Sequence, residues 1–110
     1  TLSERIAAGK IVYTKTCFAC HQENGEGVAN AFPPLAKSDF LNADVERAVS
    51  IVMHGKNGEL VVNGKKYNST MPAQTLSNDE IANVLTYVYS SWGNSNKDVT
   101  SAMVAKVKGK

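Results

Sequence analysis

Apolar and polar residues alternate along the chain in patterns that change every few turns. In the opening stretch Leu2, Ile6, Gly9 and Tyr13 recur every three to four residues. That spacing predicts a helix from Ser3 to about Thr16, with Ser3 as its N-cap and Glu4 in the first turn, where the helix dipole favours an acid. Residues 22–38 carry Gly25, Gly27, Pro33 and Pro34 and should be irregular. Val45, Val49, Val52 and Met53 form a second stripe, predicting a helix from Ala43 to His54 with Asn42 as cap and Gly55 as stop. Two short strand-like pieces, Leu60-Val61-Val62 and Lys65-Lys66-Tyr67, flank Asn63-Gly64, the signature of a type I′ hairpin. Ser77 and Glu80 are spaced as a capping box. They open a third helix with the broad apolar face Ile81, Val84, Leu85, Val88 and Tyr89, running to about Trp92 and stopped by Gly93.

This order of elements predicts an all-α fold of three main helices with one small β-hairpin. Residues 1–93 form the domain. Residues 94–110 form a C-terminal tail that begins polar and then offers Val99, Met103, Val104 and Val107 as a short docked helix. The Gly- and Pro-rich loops leave much of the helices' apolar surface without a partner. A chain of 110 residues buries only a modest core, and a large flat apolar cofactor would supply what is missing.

Charge narrows the function further. Twelve basic and ten acidic residues leave a net charge of +2, too little to imply a nucleic-acid partner. The basic excess is concentrated in Lys106, Lys108 and Lys110. No apolar run approaches the roughly 18 residues of a membrane span. The first residues, Thr1-Leu2-Ser3-Glu4, read as mature sequence, from which a leader was removed or a longer chain cut.

The chemistry sits in Cys17-Phe18-Ala19-Cys20-His21. C-x-x-C-H is the pattern of covalent haem attachment. Each thiol adds across one haem vinyl group, the two-residue gap matches the span between the vinyls, and the adjacent histidine is placed under the iron. The chain's two cysteines both lie in this pattern. A structural disulfide would leave His21 unexplained, a thioredoxin-like pair needs a βαβ context, and a zinc site lacks ligands beyond His54. Of the other methionines, Met53 sits on a helix stripe and reads as core, and Met103 lies in the tail. His54 reads as a surface residue ending a helix. Trp92, Tyr67 and Tyr89 are candidates either for the haem surroundings or for ordinary core.

With these residues in view the chain resembles the class I cytochromes c from about Ile6 to Trp92. Gly9 and Tyr13 match the small-then-aromatic pair of that family's first helix, and Val84 and Tyr87 the matching positions of its last. The resemblance implies the class I fold around one covalent haem c. Met71, in Asn68-Ser69-Thr70-Met71-Pro72, matches the family's axial methionine, so His21 and Met71 are the implied metal ligands. In Phe32-Pro33-Pro34-Leu35, Pro33 matches the proline whose carbonyl accepts the proximal histidine's Nδ1–H, and Leu35 should pack on the haem. Lys37 departs from the pattern, because many relatives carry glycine there.

A narrower similarity lies in Val52-Met53-His54-Gly55-Lys56-Asn57-Gly58, in Val62-Asn63-Gly64-Lys65-Lys66-Tyr67-Asn68, in Met71-Pro72, and in Phe32-Pro33-Pro34-Leu35-Ala36 with Ser38-Asp39-Phe40-Leu41. It resembles the haem domains tethered to copper nitrite reductases, a resemblance that implies a periplasmic electron donor to a cupredoxin-type copper centre. A free-standing carrier, or a cytochrome subunit of a dehydrogenase or terminal oxidase, is the alternative. A gas-binding or sensing haem module is disfavoured by the Met71-Pro72 loop. Filled axial positions leave no site for substrate, so an electron carrier is expected rather than an enzyme. Two thioethers predict that the haem survives denaturation and acid–organic extraction. Mass spectrometry of the denatured chain should show polypeptide plus one haem, and a bare polypeptide mass would overturn the motif's reading.

Overall fold

The computed structural model describes residues 1–109; Lys110 of the basic tail lies outside the described residues. The described chain contains helices α1 (Leu2–Thr16), α2 (Phe18–His21), α3 (Asp39–Ala43), α4 (Val45–His54), α5 (Asn78–Tyr89) and α6 (Ser101–Lys108), with strands β1 (Glu59–Val62) and β2 (Lys65–Asn68). Residues 22–38 are irregular apart from a small bridge between Val28 and Phe32.

Several helix boundaries differ from those the sequence predicts, each for a capping reason. α1 is capped by Thr1, not Ser3. The Thr1 hydroxyl accepts from Glu4 N–H at 3.1 Å, and the Glu4 carboxylate accepts from the Thr1 amine at 3.0 Å, a reciprocal box that places Ser3 inside the helix. Leu2 is 48 % exposed and is not part of the apolar face. The helix predicted from Ala43 to His54 forms as α4 but starts two residues later, at Val45, and a separate short helix, α3, precedes it. Ser38 caps the one-turn α3 by accepting from Leu41 N–H at 3.0 Å. Asp44, in extended conformation, breaks the chain and caps α4 through Arg47 N–H at 3.1 Å. Asn42, expected as a cap, instead donates to Ser38 O and to Asn94 Oδ1.

α5 begins at the Ser77–Glu80 box as predicted but ends at Tyr89, short of Trp92. The Ser90 and Ser91 hydroxyls both donate to Tyr87 O, and Asn94 Nδ2 donates to Val88 O. The last carbonyls are thus satisfied without another turn. Trp92 then adopts a φ of +53°.

α1 and α5 cross closely and form the main contact of the fold. A Cβ added at Gly9 would lie 1.9 Å from Asn83 O and 2.8 Å from the Tyr87 Cβ, so glycine is required there. The crossing is locked by the rings of Tyr13, Tyr87 and Trp92, whose centroids lie 5.3–5.6 Å apart in tilted or edge-on geometry. The core continues through Val49 and Val52 of α4 and Ile81, Val84, Leu85 and Val88 of α5.

The tail docks as a helix against α4 and α5, burying Val99, Val104 and Val107. Thr86, buried in α5, pairs with the Val99 backbone in both directions at 2.9–3.0 Å. Arg5 reaches from α1 to Asp98 at 2.6 Å and to Val99 O at 3.3 Å.

The hairpin pairs Leu60 with Tyr67 and Val62 with Lys65, and Asn63 and Gly64 take the two positive φ values of a type I′ turn. Val62 and Tyr67 face inward and Val61 outward. Asp39 and Asn63 exchange backbone-to-side-chain hydrogen bonds at 2.7 and 3.0 Å, pinning the turn to the start of α3.

Gly9→Ala should lower stability by about 3 kcal/mol, the upper range for forcing a methyl into a packed contact. Guanidinium denaturation measures this; a loss under about 1 kcal/mol would show that the crossing tolerates a side chain.

Candidate functional site

The cysteine motif is built at the junction of two helices. α1 ends at Cys17, whose N–H bonds Tyr13 O at 2.9 Å, and the chain re-enters the single-turn α2. Cys20 N–H and His21 N–H both donate to Cys17 O, at 3.3 and 3.0 Å. Helical positions three and four apart share a face, so Cys17, Cys20 and His21 all line the same cavity. Gln22 then turns to a φ of +71° and ends α2; the Tyr13 hydroxyl donates to its carbonyl at 2.6 Å.

His21 is buried, and its Nδ1 lies 2.9 Å from Pro33 O. A carbonyl only accepts, so Nδ1 carries the proton and donates, which leaves the Nε2 lone pair available to a metal. Burial lowers the His21 pKa and the bond to Pro33 partly offsets this, which favours the neutral ring, the form a metal binds. The accepting loop is itself fastened. Gly25 O accepts from Leu35 N–H at 2.7 Å and Ala36 N–H at 2.9 Å, and Gly27 N–H donates to His21 O. A Cβ at Gly27 would lie 2.4 Å from Phe32 O. Lys37, at the position where the pattern favours glycine, takes the left-handed conformation all the same, with a φ of +50°.

The cavity measures about 320 Å³ and its lining is almost wholly apolar. It is bounded by the cysteine motif, by Phe32, Pro33, Pro34 and Leu35, by Phe40 and Leu41, by Ile51 and Val52 of α4, by Leu60, Val62 and Tyr67 of the hairpin, by Met71, and by Val84, Leu85 and Val88 of α5. Every site residue singled out in the sequence, namely Cys17, Cys20, His21, Pro33, Leu35 and Met71, meets at this one cavity.

Met71 is held from both sides. Its backbone forms a two-way bridge with Lys56 at 2.9 Å each way, and Gly55 packs so closely that a Cβ there would lie 2.6 Å from Met71 O. Nearby, the Ser69 hydroxyl donates to Ala31 O at 2.6 Å, joining the two loops that edge the cavity. Met53 packs on the core and does not line the cavity. Met103 is spent on the α6 cap, where its sulfur accepts from Thr100 N–H. His54 is exposed at the end of α4. Of the three aromatic candidates only Tyr67 lines the cavity. Tyr89 is fully buried and donates to Leu41 O at 2.7 Å, while Trp92 belongs to the α1–α5 crossing.

Sequence reasoning missed Asn94. Its amide donates to Leu35 O at 3.0 Å and Val88 O at 2.9 Å, and its oxygen accepts from Asn42. It therefore ties the histidine-accepting loop to the end of α5. Only its position after Gly93, in a polar stretch, could have hinted at a capping role.

The competing chemistries fit poorly. The two cysteines are not bonded to each other. Burial, aided by Cys20, pushes the Cys17 thiol up to about 11, the opposite of the lowered value a redox-active pair needs. Among the described residues no group of three or more His, Cys, Asp or Glu side chains could hold a metal ion. A large apolar slot, two thiols one turn apart and an oriented neutral imidazole suit a haem.

The comparisons agree. The family model described as Cytochrome c matches residues 6–92. Cytochrome c-552 of Thermus thermophilus is 36% identical over 96 residues, covering 83% of this chain and 72% of that protein. The cytochrome c subunit of the alcohol dehydrogenase (quinone) of Gluconacetobacter polyoxogenes is 34% identical over 105 residues, 91% of this chain. The gluconate 2-dehydrogenase cytochrome c subunit of Pantoea cypripedii is 32% identical over 106 residues. This chain spans only 22% and 24% of those two subunits. No helix among the described residues is long and apolar enough to cross a membrane. Motif, cavity and family together make the chain a member of the cytochrome c family, carrying one covalent haem c as an electron-transfer domain rather than as an enzyme.

Proposed function

We propose that Cys17 and Cys20 form the thioethers, that His21 and Met71 are the axial ligands, and that the domain passes single electrons between redox proteins. The observation that supports this reading is the Nδ1-to-Pro33 bond of His21, which leaves Nε2 as the free ring nitrogen of a residue lining the same cavity as Met71. When bound, the haem supplies a one-electron couple, and the chain's own residues set its potential and access. The Pro33 carbonyl fixes the imidazole and raises its basicity. The apolar walls exclude water, and the Lys56 bridge presents the thioether, a soft ligand that favours ferrous iron. Met71→Ala should abolish the weak near-infrared sulfur-to-iron band of the ferric protein and lower the reduction potential. If that band instead disappears with Met53→Ala or Met103→Ala, another methionine is the ligand.

For the partner we infer a cupredoxin-type copper centre of a copper nitrite reductase, in the bacterial periplasm. The motif similarity around residues 52–58, 62–68 and 71–72 supports this. Phe18, 41 % exposed beside Cys17, and the Met71 loop would form the contact, with the exposed Lys65 and Lys66 adjusting orientation and on-rate. A second reading, service to an alcohol or gluconate dehydrogenase, is favoured by the names of the relatives. Stopped-flow mixing separates them. Reduced protein should be oxidised faster by oxidised copper nitrite reductase than by an unrelated cupredoxin, across a range of salt. Equal rates, together with fast reduction of the oxidised protein by a reduced quinone-type alcohol dehydrogenase, would establish the second reading.

A further inference from the structure

Among the described residues, one buried side-chain nitrogen or oxygen has no hydrogen-bond partner: Nε of Arg47. Arg47 lies in the first turn of α4, and its backbone N–H is used by the Asp44 cap. Its Nη2 donates to Phe40 O at 2.6 Å, and its Cζ lies 3.7 Å from the centroid of the Phe40 ring. Neither ion pair among the described residues includes it. Phe40 in turn lines the cavity. A guanidinium outside the ion pairs Thr1–Glu4 and Arg5–Asp98 of the described residues is thus pinned to a ring of the cavity wall.

Holding a charge partly out of water costs free energy. Stacking on an aromatic face and one carbonyl bond recover only part of the cost. The charge is also felt inside the core. Tyr89 is pushed up to about 12, first by burial and further by Asp44, with Arg47 opposing the rise.

We propose that Arg47 is a fixed positive charge behind the Phe40 wall that raises the reduction potential of the haem. This rests on the haem occupying the cavity described above, and names a residue that tunes its electron transfer without touching it. Reduction adds one electron, taken from a redox partner or from the mediator in a titration. The iron passes from ferric to ferrous, no bond forms or breaks, and no proton moves. The site becomes less positive by one unit, so a nearby cation stabilises the reduced form relative to the oxidised one. A charge held partly away from solvent is screened by salt less than an exposed one.

Spectroelectrochemical titration of the holoprotein tests this. Arg47→Met should lower the midpoint potential, Arg47→Lys should retain most of it, and Lys10→Met, which removes an exposed charge from α1, should leave it in place. The Arg47→Met shift should persist from low to high salt. If Arg47→Met does not fold, Arg47→Gln carries the same comparison. A potential unchanged in the neutral variant, a shift that salt abolishes, or a fall as large in Arg47→Lys as in Arg47→Met would overturn the proposal. The near-infrared band separates it from the ligand assignment. A lowered potential with the band lost counts against Arg47, because ligand loss then explains the shift. A band missing from the unsubstituted protein sinks Met71 and leaves the Arg47 comparison standing.

Discussion

The backbone of Gly9 rests against the carbonyl of Asn83, and the rest of the molecule is arranged around that contact. Removing the side chain at one position lets α1 and α5 cross at near-touching distance, and Tyr13, Tyr87 and Trp92 fill the angle between them. α1 then ends where Cys17 begins the haem motif, so the crossing fixes the motif relative to the Val84, Leu85 and Val88 wall that α5 presents to the cavity. The tail reinforces the same pair from outside, through Thr86–Val99 and Arg5–Asp98. Scaffold and site are therefore one construction, in which the helix that positions the cysteines is held by the helix that forms the opposite side of the core.

The parts of this design legible in the sequence are those with short-range signatures. The Ser77–Glu80 box and the Asn63-Gly64 turn carry their geometry within a few residues and form as read, and the Cys17–His21 motif folds into a single helical turn. The illegible parts depend on competition between neighbouring signals. Thr1, Ser38 and Asp44 are the caps in use, each accepting from the backbone N–H three residues on, while the Asn42 amide donates to Asn94 across the fold. α5 stops early because Ser90, Ser91 and Asn94 satisfy its carbonyls, which spacing alone does not reveal. The Asn94 link to Leu35 and the placement of Arg47 on Phe40 join residues far from obvious partners, and no local pattern announces them.

The site also shows a division of labour between rigid and fastened elements. His21 comes from a helical turn, but its orientation is set by a loop carbonyl, and that loop is secured at Gly25, Gly27 and Asn94. Met71 is on a loop too, secured by Lys56 and by the close approach of Gly55.

The two thiols that open onto the cavity have a consequence for molecularity. A haem held by coordination alone leaves when its protein unfolds, and recovery then depends on how much free cofactor is present. A haem bonded at Cys17 and Cys20 stays attached to the chain beside the neighbouring His21 even when the chain is disordered, at a high effective concentration. Refolding is then a first-order process, indifferent to dilution. The chain meets its cofactor once, at maturation, and thereafter loses and regains its shape as a single molecule.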